Sequence, residues 1–310
     1  SNTVVFYDSI PKYVWGRPAR DNGKILNTVV REFEIEGMRY QVQISPARVE
    51  GKDGTFRDHF PGVKEELVED ALRKLVAEGQ GMFLDGEVGV TFTLYQLQQE
   101  LKGMGHSFSL DEIKHALMVC KGTELIIKRT DKSQDEFTLA SNMFQTVALK
   151  TRVRQGGVEA GPDDHKAFVR FSPLVTKGIM TKTFRLYHYR KAMETRGVLA
   201  RYLLKRISRR YSYASADKSY GIKLTTLFRD SGMQPTNIRD MKQKAIAALE
   251  ELKTKEIVRR YGLTAVKEGR RTIDWKLAIF PHKRFIDFTF YANAKSNEIR
   301  APELEQERKK

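Results

Sequence analysis

The 310 residues comprise 40% hydrophobic side chains and a single cysteine, Cys120, and carry 55 Lys and Arg against 39 Asp and Glu, a net charge of +16 at pH 7. This composition excludes wholesale disorder, an internal disulfide and a cysteine-rich zinc site, and no apolar run approaches the ~20 residues of a membrane-spanning helix. The charge is segregated: residues 1–150 hold 19 basic and 22 acidic residues, a net −3, whereas residues 151–310 hold 36 and 17, a net +19, an asymmetry that solubility does not require and that points to a polyanion partner.

In chain order, residues 29–44 alternate as strands do (Val30, Phe33, Ile35, then Tyr40, Val42, Ile44), and Glu36-Gly37 predicts a hairpin turn between them. Pro61-Gly62 opens a helix to about Gly79, with Val63, Leu67, Val68, Ala71, Leu72, Leu75 and Val76 at helical spacing. A short strand at Val90–Thr93 leads to a helix at Leu94–Leu101, a turn at Lys102–His106 and a second helix at Ser109–Cys120. Leu125–Ile127 and Phe137–Leu149 then read as a two-stranded ribbon tipped by Thr130–Asp135, the element order of a winged helix. Gln155–His165, rich in Gly, Pro and Asp, reads as a linker. A strand (Ala167–Phe171), a short helix after Pro173 and a basic helix (Thr195–Tyr211) follow.

The winged-helix order then recurs: strand Ile222–Leu224, helix Thr225–Ser231, turn Gly232–Pro235, helix Thr236–Lys253, and ribbon strands Glu256–Val266 and Thr272–Ile279 around the basic tip Lys267–Arg271. Phe285, Ile286, Phe288 and Phe290 suggest one more strand, and the tail from Lys295 reads as charged and frayed. The expected fold is therefore α+β: two tandem winged-helix domains related by an internal repeat, with an added N-terminal β-hairpin. Expected boundaries are 1–154, 166–294 and a flexible tail at 295–310. The lone cysteine and the lack of a recognisable signal peptide predict a cytoplasmic protein. The chain opens Ser1-Asn2-Thr3 without Met, so native residues are expected to precede it.

The second copy carries the sharper chemistry. In its longer helix Ile238, Met241, Ala245, Leu249 and Leu252 form the inward stripe. The opposite side of the first turns offers Thr236, Asn237, Arg239, Asp240, Gln243 and Lys244, and Arg, Asn and Gln make paired hydrogen bonds to purine edges. Glu250 and Glu251, further along, would be repelled by DNA, so the helix is expected to enter a groove by its N-terminal end. Phosphate contacts are expected from Arg196, Arg201, Lys205, Arg206, Arg209 and Arg210 on the preceding helix and from Lys267, Arg270 and Arg271 on the wing. The bland alternative, a solvated polar helix face, explains the same residues without the adjoining basic wing. Tyr211, Tyr213 and Tyr220 are read as packing residues rather than base-stacking ones. The first copy differs: its second helix opens Ser109-Leu110-Asp111-Glu112, acids that suit a helix N-terminus and disfavour a groove. A protein contact such as dimerisation suits that half at least as well as DNA docking.

No phosphate-binding loop, nucleophile-elbow serine or His pair at metal spacing occurs, so no catalytic residue, cofactor or metal ligand is assigned. His188 between Tyr187 and Tyr189 weakly suggests a DNA-cleaving tyrosine enzyme and fits a buried aromatic patch better.

Thr91-Phe92-Thr93-Leu94-Tyr95-Gln96-Leu97, Tyr189-Arg190-Lys191 with the helix Gly197–Leu204, Ile222–Met233 and Ala245–Leu252 together resemble the iteron-binding plasmid replication initiators with tandem winged helices, TrfA-like and RepE-like, over roughly residues 85–280. The resemblance implies that the C-terminal winged helix reads repeated origin sites in double-stranded DNA. It also implies that the N-terminal one mediates a homodimer and adds DNA contacts, and that the protein helps open the origin and recruits host replication proteins without nuclease or ATPase activity. A winged-helix transcriptional regulator and, less well supported, a nicking or recombinase enzyme are the alternatives.

Overall fold

In a computed structural model, which describes residues 2–16, 20–21, 24–25, 28–51, 53–84, 86–131, 137–149, 166–181 and 184–307, the alternating stretch after residue 28 folds as its pattern demands. Three short strands precede it: β1 (Asn2–Val4), and β2 (Arg20–Asp21) paired with β3 (Lys24–Ile25). The hairpin itself is β4 (Val29–Ile35) and β5 (Met38–Ser45). Glu36 and Gly37 both hold positive φ, 52° and 82°, the backbone a two-residue turn needs to match strand twist. Phe33, Val42 and Ile44 point into the core.

A second hairpin, β6 (Ala47–Glu50) and β7 (Phe56–His59), leads to α1 (Val63–Leu75), whose Leu67, Val68, Ala71 and Leu72 are fully buried. β8 (Gly81–Leu84) and β9 (Glu87–Thr93) precede α2 (Leu94–Gly103), capped by the Thr93 hydroxyl, which accepts from Gln96 N at 3.0 Å. α3 (Leu110–Gly122) follows, then β10 (Glu124–Arg129), β11 (Thr138–Asn142), β12 (Phe144–Leu149), β13 (Lys166–Phe171) and α4 (Pro173–Met180).

The strands of this unit divide between two sheets, ordered β11-β10-β5-β4 and β12-β13-β9-β8. This corrects the expected ribbon. Phe137–Leu149 is not one strand but two, and the chain changes sheets at buried Met143, whose N–H donates to Thr123 O while its carbonyl accepts from Ser172 N. The hairpin β10–β11 extends the added N-terminal hairpin, and the ribbon that joins β9 in the winged-helix manner is β12–β13, with β13 paired directly to β9 and β12 on its far side. An apolar run reports burial and cannot mark where a strand changes partner. The expected linker, residues 155–165, lies outside the described residues. The boundary drawn there is corrected by β13, which pairs with both β12 and β9. The chain instead forms one unit from residues 12–179 and another from residues 1–11 and 180–310.

In the second unit β1 pairs antiparallel with β14 (Phe184–Leu186). Then come α5 (Tyr189–Glu194), α6 (Val198–Arg210), β15 (Tyr220–Lys223), α7 (Leu224–Ser231), α8 (Ile238–Thr254), β16 (Val258–Glu268), β17 (Arg271–Pro281) and α9 (Lys283–Glu307). The sheet order β15-β17-β16 backing α6, α7 and α8 is a winged helix, so the chain has the α+β, doubly winged architecture its element order announced. Its core gathers Leu199, Leu203, Ile207, Leu227, Phe228, Leu249, Leu252, Leu277 and Ile279. Gly232, at φ 71°, ends α7 in the left-handed conformation that a β-carbon disfavours.

The expected strand at Phe285–Phe290 is also corrected, and of the tail expected from Lys295, residues 295–307 continue a helix while 308–310 lie outside the described residues. Phe285, Thr289 and Ala292 are buried at spacings of four and three, so one helix, α9, runs from Lys283 to Glu307 and leaves Phe290 64% exposed. Tyr187 and Tyr189 are buried, and His188 stacks on Phe288 at 4.7 Å, an aromatic patch that burial accounts for. Tyr211 and Tyr220 pack at 5.8 Å, but Tyr213 is exposed and does not pack as expected.

Candidate nucleic-acid interface

The entry end of α8 is built by its own polar residues. Asn237 is the cap: its Oδ1 accepts from Arg239 N at 3.0 Å and Asp240 N at 2.9 Å. Asp240 Oδ2 in turn accepts from Lys244 Nζ and Thr236 N, both at 2.8 Å. The Lys244 hydrogen bond, then the Thr236 amide, hold the Asp240 carboxyl below its ordinary range, so it stays ionised. Thr236, Asn237, Asp240 and Lys244 are thus brought together as a network that stiffens the helix end. Arg239 and Gln243, one turn apart, stand exposed on its outer side. Ala245, Ala248, Leu249 and Leu252 face inward, with Ile238 and Met241 half-buried above them.

The wing stands beside this end. β16 and β17 meet at a two-residue turn, Gly269-Arg270, with Gly269 at φ 59°. Lys267, Arg270 and Arg271 are all exposed there. Two contacts that the sequence pattern does not disclose tie α8 to the ribbon. Lys242 Nζ lies 3.9 Å from the centre of the Trp275 ring, a cation–π contact. Tyr261 Oη donates to Glu250 Oε1 at 2.7 Å; partial burial and that carboxylate push the phenol up to about 12. Glu251, the next residue on this helix, caps α6 by accepting from Arg196 N at 2.6 Å and Gly197 N at 3.0 Å. A β-carbon at 197 would meet Glu251 Oε2 at 2.4 Å, so a larger residue there would displace this carboxylate from its capping position.

The basic helix α6 divides differently from expectation. Arg196 and Arg210 are exposed, and Lys205 is half-buried with its ammonium 6.0 Å from the Tyr187 ring. Arg201, Arg206 and Arg209 are 1%, 4% and 6% exposed and are withdrawn from the phosphate-binding set. Arg201 Nη1 donates to Thr195 O at 2.8 Å. Arg206 is locked by Asp230 Oδ2 at 2.8 Å and by the hydroxyls of Tyr202 and Tyr220, both at 2.9 Å. A buried guanidinium is stabilised by such partners, and Asp230 lies 24 residues away, beyond the reach of helical periodicity.

The equivalent helix of the first unit, α3, closes its entry with a capping box: Ser109 N donates to Glu112 Oε2 at 3.0 Å and Glu112 N to Ser109 Oγ at 3.2 Å. The Ser109 amide, then Lys64 Nζ at 3.1 Å, lowers the Glu112 carboxyl to about 2. Asp111 is exposed beside it, as are Leu110 and Met118.

No protein-family model matches the chain, and no curated protein matches it in sequence. Among solved structures it resembles a crystal structure of domains 2 and 3 of RctB, with a TM-score of 0.52 and 12% identity, over 90% of this chain and 96% of that one. A further structure of RctB domains 2–3 gives 0.46 and 11% over 82% and 91%, and the Pi initiator protein in complex with iteron DNA gives 0.45 and 14% over 71% and 94%. At such identity the RctB likeness is one of fold. Among the described residues no helix is long and apolar enough to cross a membrane.

Proposed function

We propose that this chain is a replication initiator of the iteron-binding kind, acting by binding rather than catalysis. In this reading α8 seats its first turns in the major groove of a duplex at repeated origin sites. Arg239 and Gln243 read base edges while Lys267, Arg270 and Arg271 hold phosphates across the adjoining backbone. Arg196 and Arg210 add phosphate contacts, and the Thr236–Asn237–Asp240–Lys244 network sets the angle of the reading residues. The N-terminal winged helix serves dimerisation and accessory DNA contact, and the assembly helps open the origin and recruits host replication proteins.

One observation carries the reading: an exposed Arg–Gln pair on a rigidly capped helix end beside an exposed wing of three cations. The doubly winged fold shared with RctB domains 2 and 3 and the sequence resemblance to iteron-binding initiators support it. The test is replication of a reporter plasmid carrying the DNA that flanks the gene. Maintenance that depends on the protein and on direct repeats spaced by about two helical turns is expected. Regulation of a promoter without plasmid maintenance would favour a transcriptional role instead.

A further inference from the structure

The sheet of the second winged helix has two unlike faces. The inner one holds Ile222, Leu277 and Ile279, all buried, together with Tyr261 and Trp275, which touch α8. On the outer one, strand register lines up three rungs. Gly221, Ala278 and Gly262 lie side by side, so a strip bearing nothing larger than a methyl group crosses all three strands. Above either glycine a β-carbon would meet no atom within 4 Å. On one side of the strip Lys223 stands directly opposite Lys276, with Thr264 completing the rung, and all three are exposed. On the other side Arg260 lies over the Phe280 ring, 3.6 Å from its centre.

Like charges paired across strands destabilise a sheet, and a solvated face ordinarily intersperses opposite ones. The carboxylate sharing this face, Asp274, is buried and engaged by the Thr225 and Trp275 amides and the Thr225 hydroxyl. A polyanion would relieve the lysine pair. The face lacks the exposed apolar anchor a protein interface needs, because its one aromatic ring is covered by a guanidinium. The same cover removes the stacking platform that single-stranded nucleic acid uses. A bare backbone strip between cations matches the sugar–phosphate edge of a duplex.

We infer that this outer face, Lys223, Lys276 and Arg260 around the Gly221–Ala278–Gly262 strip, is a second duplex-binding surface. It holds a different DNA segment from the one on α8, because α8 packs on the opposite side of the sheet. The inference rests on the proposed reading of α8 only in assigning the first segment. The test uses the full chain loaded with a short specific-site duplex and measures capture of a second, labelled duplex of unrelated sequence, with the oligomeric state followed by sedimentation. Lys223→Ala/Lys276→Ala should cut capture at least tenfold and flatten its salt dependence by about two counterions, while first-duplex affinity stays within about threefold. Gly262→Glu, which nothing in the fold obstructs, should abolish capture with thermal unfolding unchanged. Capture that survives both variants, as a dimer bridging through two α8 helices would give, overturns the inference, and so does a wild-type chain that binds the first duplex and captures none. Failure of the α8 reading registers separately, as first-duplex binding indifferent to Arg239→Ala.

Discussion

The two winged helices share an element order and differ in how their second helices begin. α3 is closed by Ser109 and Glu112, a reciprocal box that places an ionised carboxylate, held by Lys64, at the entry. α8 is closed by the neutral Asn237, the one acid of its first turn, Asp240, is tied to Lys244, and Arg239 and Gln243 are left outward. Both caps satisfy the same orphaned amides. Only the second leaves a cation facing outward at the entry, so under the proposed reading the choice of cap separates an end unsuited to phosphate from one suited to it.

The largest effect is expected inside the second unit: Asp230→Ala leaves the Arg206 guanidinium buried without its carboxylate and should cost about 3–5 kcal/mol of stability by denaturant unfolding. Next, Arg239→Ala should cost about 1–3 kcal/mol of binding to a specific duplex and relax base preference, whereas Lys114→Ala on α3 should leave both unchanged. Arg271→Ala should weaken all sequences alike and lower the salt slope by about one, read from titrations at several ionic strengths. Asn237→Ala and Ser109→Ala should each cost about 1 kcal/mol of stability, but only the former should also weaken DNA binding. The smallest effect concerns acid. The Glu112 carboxyl lies at about 2 in the fold, below its ordinary 4.5, so its stabilising contribution is present above the ordinary value and is lost as pH falls through the folded one. Glu112→Gln should flatten the pH dependence of unfolding in that window and leave neutral-pH DNA binding unaltered.

Helical spacing disclosed α1, α2, α3, α6, α7 and α8, and the Glu36-Gly37 turn disclosed β4–β5, because these signals are local. The outer residues of α8 were legible for the same reason. What stayed hidden depends on partners far along the chain. The sheet change at Met143, the pairing of β1 with β14 and the Arg206–Asp230 ion pair are set by residues that no local pattern reaches. Phe285–Phe290 misled because aromatic residues at every second position imitate a strand, while the buried spacing Phe285–Thr289–Ala292 is helical. Lys242 went unassigned since its partner, Trp275, lies on the facing ribbon.

Under the proposed function, the outer side of α8 reads DNA sequence. Selection from random-sequence duplexes, compared between the wild-type chain and Arg239→Ala/Gln243→Ala, tests it most directly. Wild type should enrich one motif, and the double variant should lose it at two or more base positions while still binding duplex. Enrichment of the same motif by both proteins would contradict it.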